Sequence, residues 1–172
     1  MRENIEYHSP VPVGVGMAGI QRYAEEVGRI LDVQDATGIS DVAAALGGKI
    51  HFRGWDQIED GTIYVHGKAD FDICLPTFHS PTIRDRFTIA HEIAHYVLHA
   101  GYGKKPIVAM RSSSGRTEWE ANWFAAALLM PHERFSSVWD ALEGDAEKVA
   151  SYFGVSNSAA EIRAKVLGLA PK

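Results

Sequence analysis

From Met17 to Leu31 the apolar positions Ile20, Tyr23, Ala24, Val27, Ile30 and Leu31 recur at intervals of three and four, with Glu25, Glu26 and Arg29 outside the stripe. That spacing predicts an amphipathic helix. A shorter helix follows, capped by Ser40 or Asp41, running to Leu46 and ended by Gly47-Gly48. The period then falls to two. Residues 49–53, 62–66 and 70–75 read as three strands, with Ile50 and Phe52 on one face of the first and Phe71, Ile73 and Leu75 on one face of the third. Their short connections predict an antiparallel sheet whose apolar face packs on a helix. Helical spacing returns around Phe87, Ala90, Ala94 and Leu98, with Ser80-Pro81 as cap and first-turn proline and Gly101 as the stop. It continues over 118–130, 132–142, 145–153 and 157–167. Two stretches carry no period: residues 1–16, an arm containing Pro10, Pro12, Gly14 and Gly16, and residues 101–116, a long loop and candidate lid. The expected fold class is α+β, a small antiparallel sheet packed on the helix around Phe87–Leu98, within one mostly helical domain spanning 17–172.

That central helix carries His91-Glu92-Ile93-Ala94-His95. Residues four apart lie one helical turn above each other, so His91 and His95 present their imidazoles to a single point. Two stacked imidazoles carried inward by an apolar stripe call for a charge beside them, and a divalent metal ion supplies it. Glu92 stands beside that point, where its carboxylate can take a proton from water. Without a metal, the same histidines would be polar residues along a packed helix; the capped, amphipathic context favours the metal.

A tetrahedral site with one open position needs a third protein ligand. His99 is eight residues beyond His91, about 12 Å along a straight helix, too far for one ion to reach both with His95 between them. The helix over 118–130 offers two carboxylates instead. Glu118 shares a face with Asn122, so Glu118 is the expected ligand and Asn122 the hydrogen-bond partner of a ligand histidine. Glu120, turned toward Trp123, Phe124 and Ala127, is the competitor; for either, the plain alternative is a surface carboxylate in a helix's first turns.

The motifs Arg86-Phe-Thr-Ile-Ala-His-Glu-Ile-Ala-His95, Glu118-x-Glu-Ala-Asn-x-Phe-Ala-x-x-Leu-Leu-Met-Pro131 and Phe153-Gly-Val-Ser156 together resemble the ImmA/IrrE metallopeptidases, with a glutamate-zincin type of site. The resemblance implies Zn2+ as cofactor, His91, His95 and Glu118 as its ligands and Glu92 as general base and acid. It also implies an intracellular, cytoplasmic endopeptidase that cuts a helix-turn-helix transcriptional repressor. The alternative from the same residues is a metal-bearing regulatory protein that binds a repressor or DNA without cutting. No oxyanion donor can be chosen among Tyr96, His99, Tyr102 and Arg111.

Charge and composition narrow the partners. Seventeen basic against twenty-two acidic residues give a net charge of −5, which argues against a broad nucleic-acid footprint and for a protein substrate. Residues 145–167 read as a helix-turn-helix-like unit, but the second helix offers only Arg163 and Lys165 against Glu161, so scaffold is expected rather than direct DNA binding. The single cysteine, Cys74, excludes an internal disulfide framework and reads as a packed thiol. The stretch 11–20 is too short and too interrupted for a signal peptide or membrane span, and no membrane association is expected. Gly14-x-Gly16-x-x-Gly19 follows no strand, so it is no nucleotide fingerprint.

Overall fold

The computed structural model describes residues 4–33, 38–52, 62–75, 83–110 and 114–169. Seven helices are present among them: α1 (Met17–Ile30), α2 (Ile39–Ala45), α3 (Ile83–Ala94), α4 (Arg116–Leu129), α5 (His132–Ala141), α6 (Ala146–Phe153) and α7 (Asn157–Val166). Four strands accompany them: β1 (Gly48–Phe52), β2 (Thr62–Gly67), β3 (Asp70–Leu75) and β4 (Ile107–Ala109). The class is α+β and mostly helical, as the periodicity predicts. The expected Ser80-Pro81 cap lies outside the described residues.

The sheet departs from expectation in two ways. Its order is β1-β3-β2-β4, and it is mixed: β1 runs parallel to β3, while β2 is antiparallel to both β3 and β4. The expected all-antiparallel sheet assumed that consecutive strands pair. Here the β2–β3 hairpin closes tightly through Lys68 and Ala69, the latter at φ 51, and β3 takes the place beside β1. Nine residues separate β1 from β2, and at roughly 3.3 Å each they readily span two strand spacings of about 4.8 Å. The second departure is β4, which falls inside the expected loop 101–116 and pairs with β2 through Ile63–Ala109, Tyr64–Val108 and Val65–Ile107.

The first sixteen residues, read as an arm, lie across the body where they are described. His8 forms a parallel bridge to Ile107, taking the Val108 amide at 3.1 Å and giving its own amide to Pro106 at 3.1 Å. Farther along, the amides of Val13 and Gly14 donate to Glu120.

One face of the sheet enters the core. Ile63, Val65, Phe71, Ile73 and Leu75 are fully buried, and Cys74 is buried as a free thiol. Against them packs α3, whose buried surface is wider than the stripe through Phe87, Ala90, Ala94 and Leu98: Ile89 and Ile93 are also fully buried, whereas Phe87 and Leu98 are half-buried. Helix α4 lies between α3 and α1, sealed by Ala121, Phe124, Ala125 and Leu128. At the far end, Asp145 caps α6 by accepting from the amides of Glu147 and Lys148, and Ser156 caps α7 by accepting from that of Ala159. Gly154, at φ 63, ends α6 in the left-handed region and allows the turn into α7.

Candidate metal centre

Helix α3 does not end as a regular helix. After Ala94 it widens into a π-turn over His95–His99, closed by the Ala100 amide bonding to the His95 carbonyl at 2.9 Å, before Gly101 stops it at φ 55. Wider turns of this kind are rare and concentrate at functional sites. Tyr96 anchors the turn to the sheet, its ring stacked on Phe71 at 4.3 Å and its hydroxyl accepting from the Ala69 amide at 3.0 Å.

The structure brings His91, His95 and Glu118 together, with one donor atom from each lying within 4.8 Å of the others. His91 Nε2 is 3.2 Å from His95 Nε2 and 3.0 Å from Glu118 Oε2, and His95 Nε2 is 3.4 Å from Glu118 Oε1. Atoms bound at about 2.0–2.1 Å to a tetrahedral ion are separated from each other by roughly 3.3 Å. The histidine pair lies close to that edge length, and each ring nitrogen lies close to it from one oxygen of the Glu118 carboxylate. Two imidazole nitrogens and one carboxylate are a donor set suited to zinc, so the residues present fit the ion expected from the sequence.

The surroundings fix which nitrogen faces the cluster. His91 Nδ1 donates to the Asn122 side-chain oxygen at 2.9 Å, which leaves Nε2 with its lone pair toward His95 and Glu118. Asn122 therefore does what its position one turn after Glu118 suggests. Burial pushes the His95 imidazole down to about 4 despite the opposing pull of Glu118, and His91 and His99 add to the drop. At neutral pH His95 is an uncharged ring with a lone pair to give. Glu92 follows His91 on α3 and is 1% exposed.

The other sequence candidates are engaged elsewhere. His99 lies outside the three-residue cluster, bonded to His95 Nδ1 and to Glu120. Glu120 is no surface carboxylate: it is fully buried, and it binds His99 and Arg116 as well as the arm. The Tyr102 hydroxyl pairs with that of Tyr23 at 3.0 Å, and Arg111 falls outside the described residues. No signal in the sequence placed the arm against Glu120, because that contact joins positions more than a hundred apart.

Of the two basic residues expected on the second C-terminal helix, one is withdrawn from the surface. Arg163 is buried, donating to the Met130 carbonyl at 2.9 Å and to Glu25 at 3.1 Å, so α7 presents Lys165 without it.

Comparison with known proteins gives one family and a set of structures. The model of the peptidase family M78, the IrrE N-terminal-like domain, matches residues 72–165, more than half of the chain and the whole of the cluster. Among solved structures, a Mycobacterium tuberculosis transcriptional regulator is similar with a TM-score of 0.55 at 16% identity over 83% of this chain, a likeness of fold. The chain spans 45% of that protein's length. No curated protein sequence matches.

Proposed function

Because this chain belongs to the M78 peptidase family, the IrrE N-terminal-like domain, we propose that it is a zinc-dependent endopeptidase whose substrate is a helix-turn-helix transcriptional repressor. The observation that carries the reading is the buried cluster of His91 Nε2, His95 Nε2 and the Glu118 carboxylate, with each ring nitrogen 3.0–3.4 Å from a carboxylate oxygen and one donor atom of each residue within 4.8 Å of the others. The family supports a peptidase-type hydrolase, hence a protein substrate. The similar solved structure is named a transcriptional regulator, which agrees with a regulatory target. Among the described residues no helix is long and apolar enough to cross a membrane.

His91, His95 and Glu118 hold the ion, with Asn122 orienting the first ring. When bound there, zinc supplies Lewis acidity, polarising the scissile carbonyl and lowering the pKa of water to about 7. Glu92 takes the proton from the attacking water and passes it to the leaving nitrogen as the peptide bond breaks. Zinc binding alone has no use for Glu92, so its presence in the motif points to chemistry beyond sequestration.

The test pairs elemental analysis with a cleavage assay on a panel of helix-turn-helix repressors from the same organism. Wild type should hold one zinc per chain and cut one of them. Glu92→Gln should keep the zinc and the fold and lose cleavage. A wild type that binds no zinc after reconstitution would overturn the reading. Regulation that survives unchanged in Glu92→Gln would replace proteolysis by binding.

A further inference from the structure

His95 has two ring nitrogens, and the proposed site uses only one of them. Its Nδ1 lies 2.9 Å from Nδ1 of His99, and on the far side of His99 Nε2 lies 3.1 Å from Oε2 of Glu120. The side chains of His99 and Glu120 are fully buried, so no solvent competes for these contacts. Glu120 is in turn gripped by three donors: the Val13 amide at 2.9 Å, the Gly14 amide at 3.1 Å and Arg116 Nε at 3.0 Å. Arg116 reaches back to the arm as well, giving Nη2 to the Val15 carbonyl at 2.8 Å.

The hydrogen-bond directions follow from one end to the other. A carboxylate held by three donors is ionised and can only accept, so His99 Nε2 carries a proton and donates it to Glu120. A neutral His99 then has a bare Nδ1, which accepts from His95 Nδ1–H. His95 is left with its lone pair on Nε2, the nitrogen that faces His91 and Glu118. With both rings neutral, any other assignment places two protons or two lone pairs against each other, either at 2.9 Å between the histidines or at 3.1 Å against Glu120.

We propose that His99 and Glu120 are positioning residues for the metal: a carboxylate–imidazole–imidazole relay that fixes the tautomer and ring plane of His95, with the N-terminal arm as the clamp on its outer end. The inference rests on the reading of His91, His95 and Glu118 as ligands. It adds a tie between that site and Val13–Gly14, which lie more than a hundred positions before the Glu120 they grip. His99 lies against the back of His95 within the π-turn, the ring centroids 4.8 Å apart.

The test uses full-length, zinc-loaded protein and two readouts. Nitrogen-15 histidine spectra of wild type should show His95 protonated at Nδ1 alone and His99 at Nε2 alone. Competition with a chromophoric chelator should show zinc binding weakened about 10–100-fold in Glu120→Gln and His99→Phe, the usual effect of losing an outer partner of a ligand histidine. Val13→Pro, which removes one amide from the clamp, should weaken it by a smaller factor. A His99 protonated at Nδ1, or at both nitrogens, would overturn the relay, and so would folded variants that bind zinc as tightly as wild type. Should a variant fail to fold, the wild-type spectra decide alone. A wild type without zinc would remove the functional reading and this inference with it, whereas zinc-bound wild type with the opposite tautomers removes the inference only.

Discussion

Arg163 Nε donates to the carbonyl of Met130 at 2.9 Å, joining the last helix to the residue that ends α4. The side chain is 1% exposed, and its other contact is Glu25 on α1, so one guanidinium holds three helices at a single point. Burial works against its charge, with Glu25 pulling the other way. Replacing it by methionine leaves the buried Met130 carbonyl without this donor, and Arg163→Met should lower unfolding stability by about 2 kcal/mol, read as a reduced urea midpoint. The same variant should leave nucleic-acid association as it is, since the group it removes is not at the surface.

Glu118 and Glu120 are two positions apart on α4 and face different partners. Glu118 closes the triangle with His91 and His95, while Glu120 meets His99 and the arm. Elemental analysis should therefore separate them. Glu118→Ala, like His91→Ala, should lose most of its zinc at stoichiometric supply. Glu120→Ala should still bind one equivalent, at lower affinity. The reverse pattern would transfer the third ligand to Glu120.

Asp72 on β3 accepts from His51 at 2.8 Å and from His66 at 2.7 Å. Burial opposes its ionisation, but the hydrogen bonds and charges of the two histidines outweigh this and hold its carboxyl below the ordinary 3.8. A carboxyl depressed in the folded state contributes stability that is complete above 3.8 and disappears as pH falls through its lower folded value. Tyr7 pairs through its hydroxyl with the far nitrogen of His66 at 2.6 Å. Asp72→Asn should thus be less stable than wild type at pH 7, and the difference should narrow as pH falls below 3.8 in denaturant titrations.

Gly103 sits at φ 81 against the β2–β3 turn, and a Cβ there would lie 2.1 Å from the Gly67 carbonyl oxygen. Both the conformation and the contact exclude a side chain. Gly103→Ala should cost more than about 1 kcal/mol, with each kcal/mol lowering Tm by about 2–4 °C in a chain of this size. Scanning calorimetry of the metal-free protein checks it.

The helices were legible because their signals are local. Ile20 to Leu31 repeats at helical spacing, although the cap expected at Ser40 or Asp41 is not used, since α2 begins at Ile39 after Gly38 with no side-chain cap. The pairings within each helix were legible for the same reason, since i, i+4 spacing joins His91 to His95 and Glu118 to Asn122, whereas the meeting of the two pairs depends on how α3 packs on α4. The strand Ile107–Ala109 was not, because three residues between Pro106 and a polar stretch carry too little period to tell from a loop. The place of β3 between β1 and β2 was hidden too, since strand order depends on which long connection crosses the sheet, and no residue's own propensity encodes that. The clamp on Glu120 depended on where an aperiodic arm lands.

The strand order also dictates a sequence of events during folding. The β2–β3 hairpin can zip through its two-residue turn in roughly 1–10 μs, before anything distant is in place. β1 has no neighbour until β3 exists, although it is made first, and its parallel register from Gly48↔Phe71 to Phe52↔Leu75 requires a loop of some twenty residues to close. β4 must then join the other side of β2, and only a seated β4 offers His8 a strand to lie against. The segment around His8 therefore finds its strand partner only after β4 has formed.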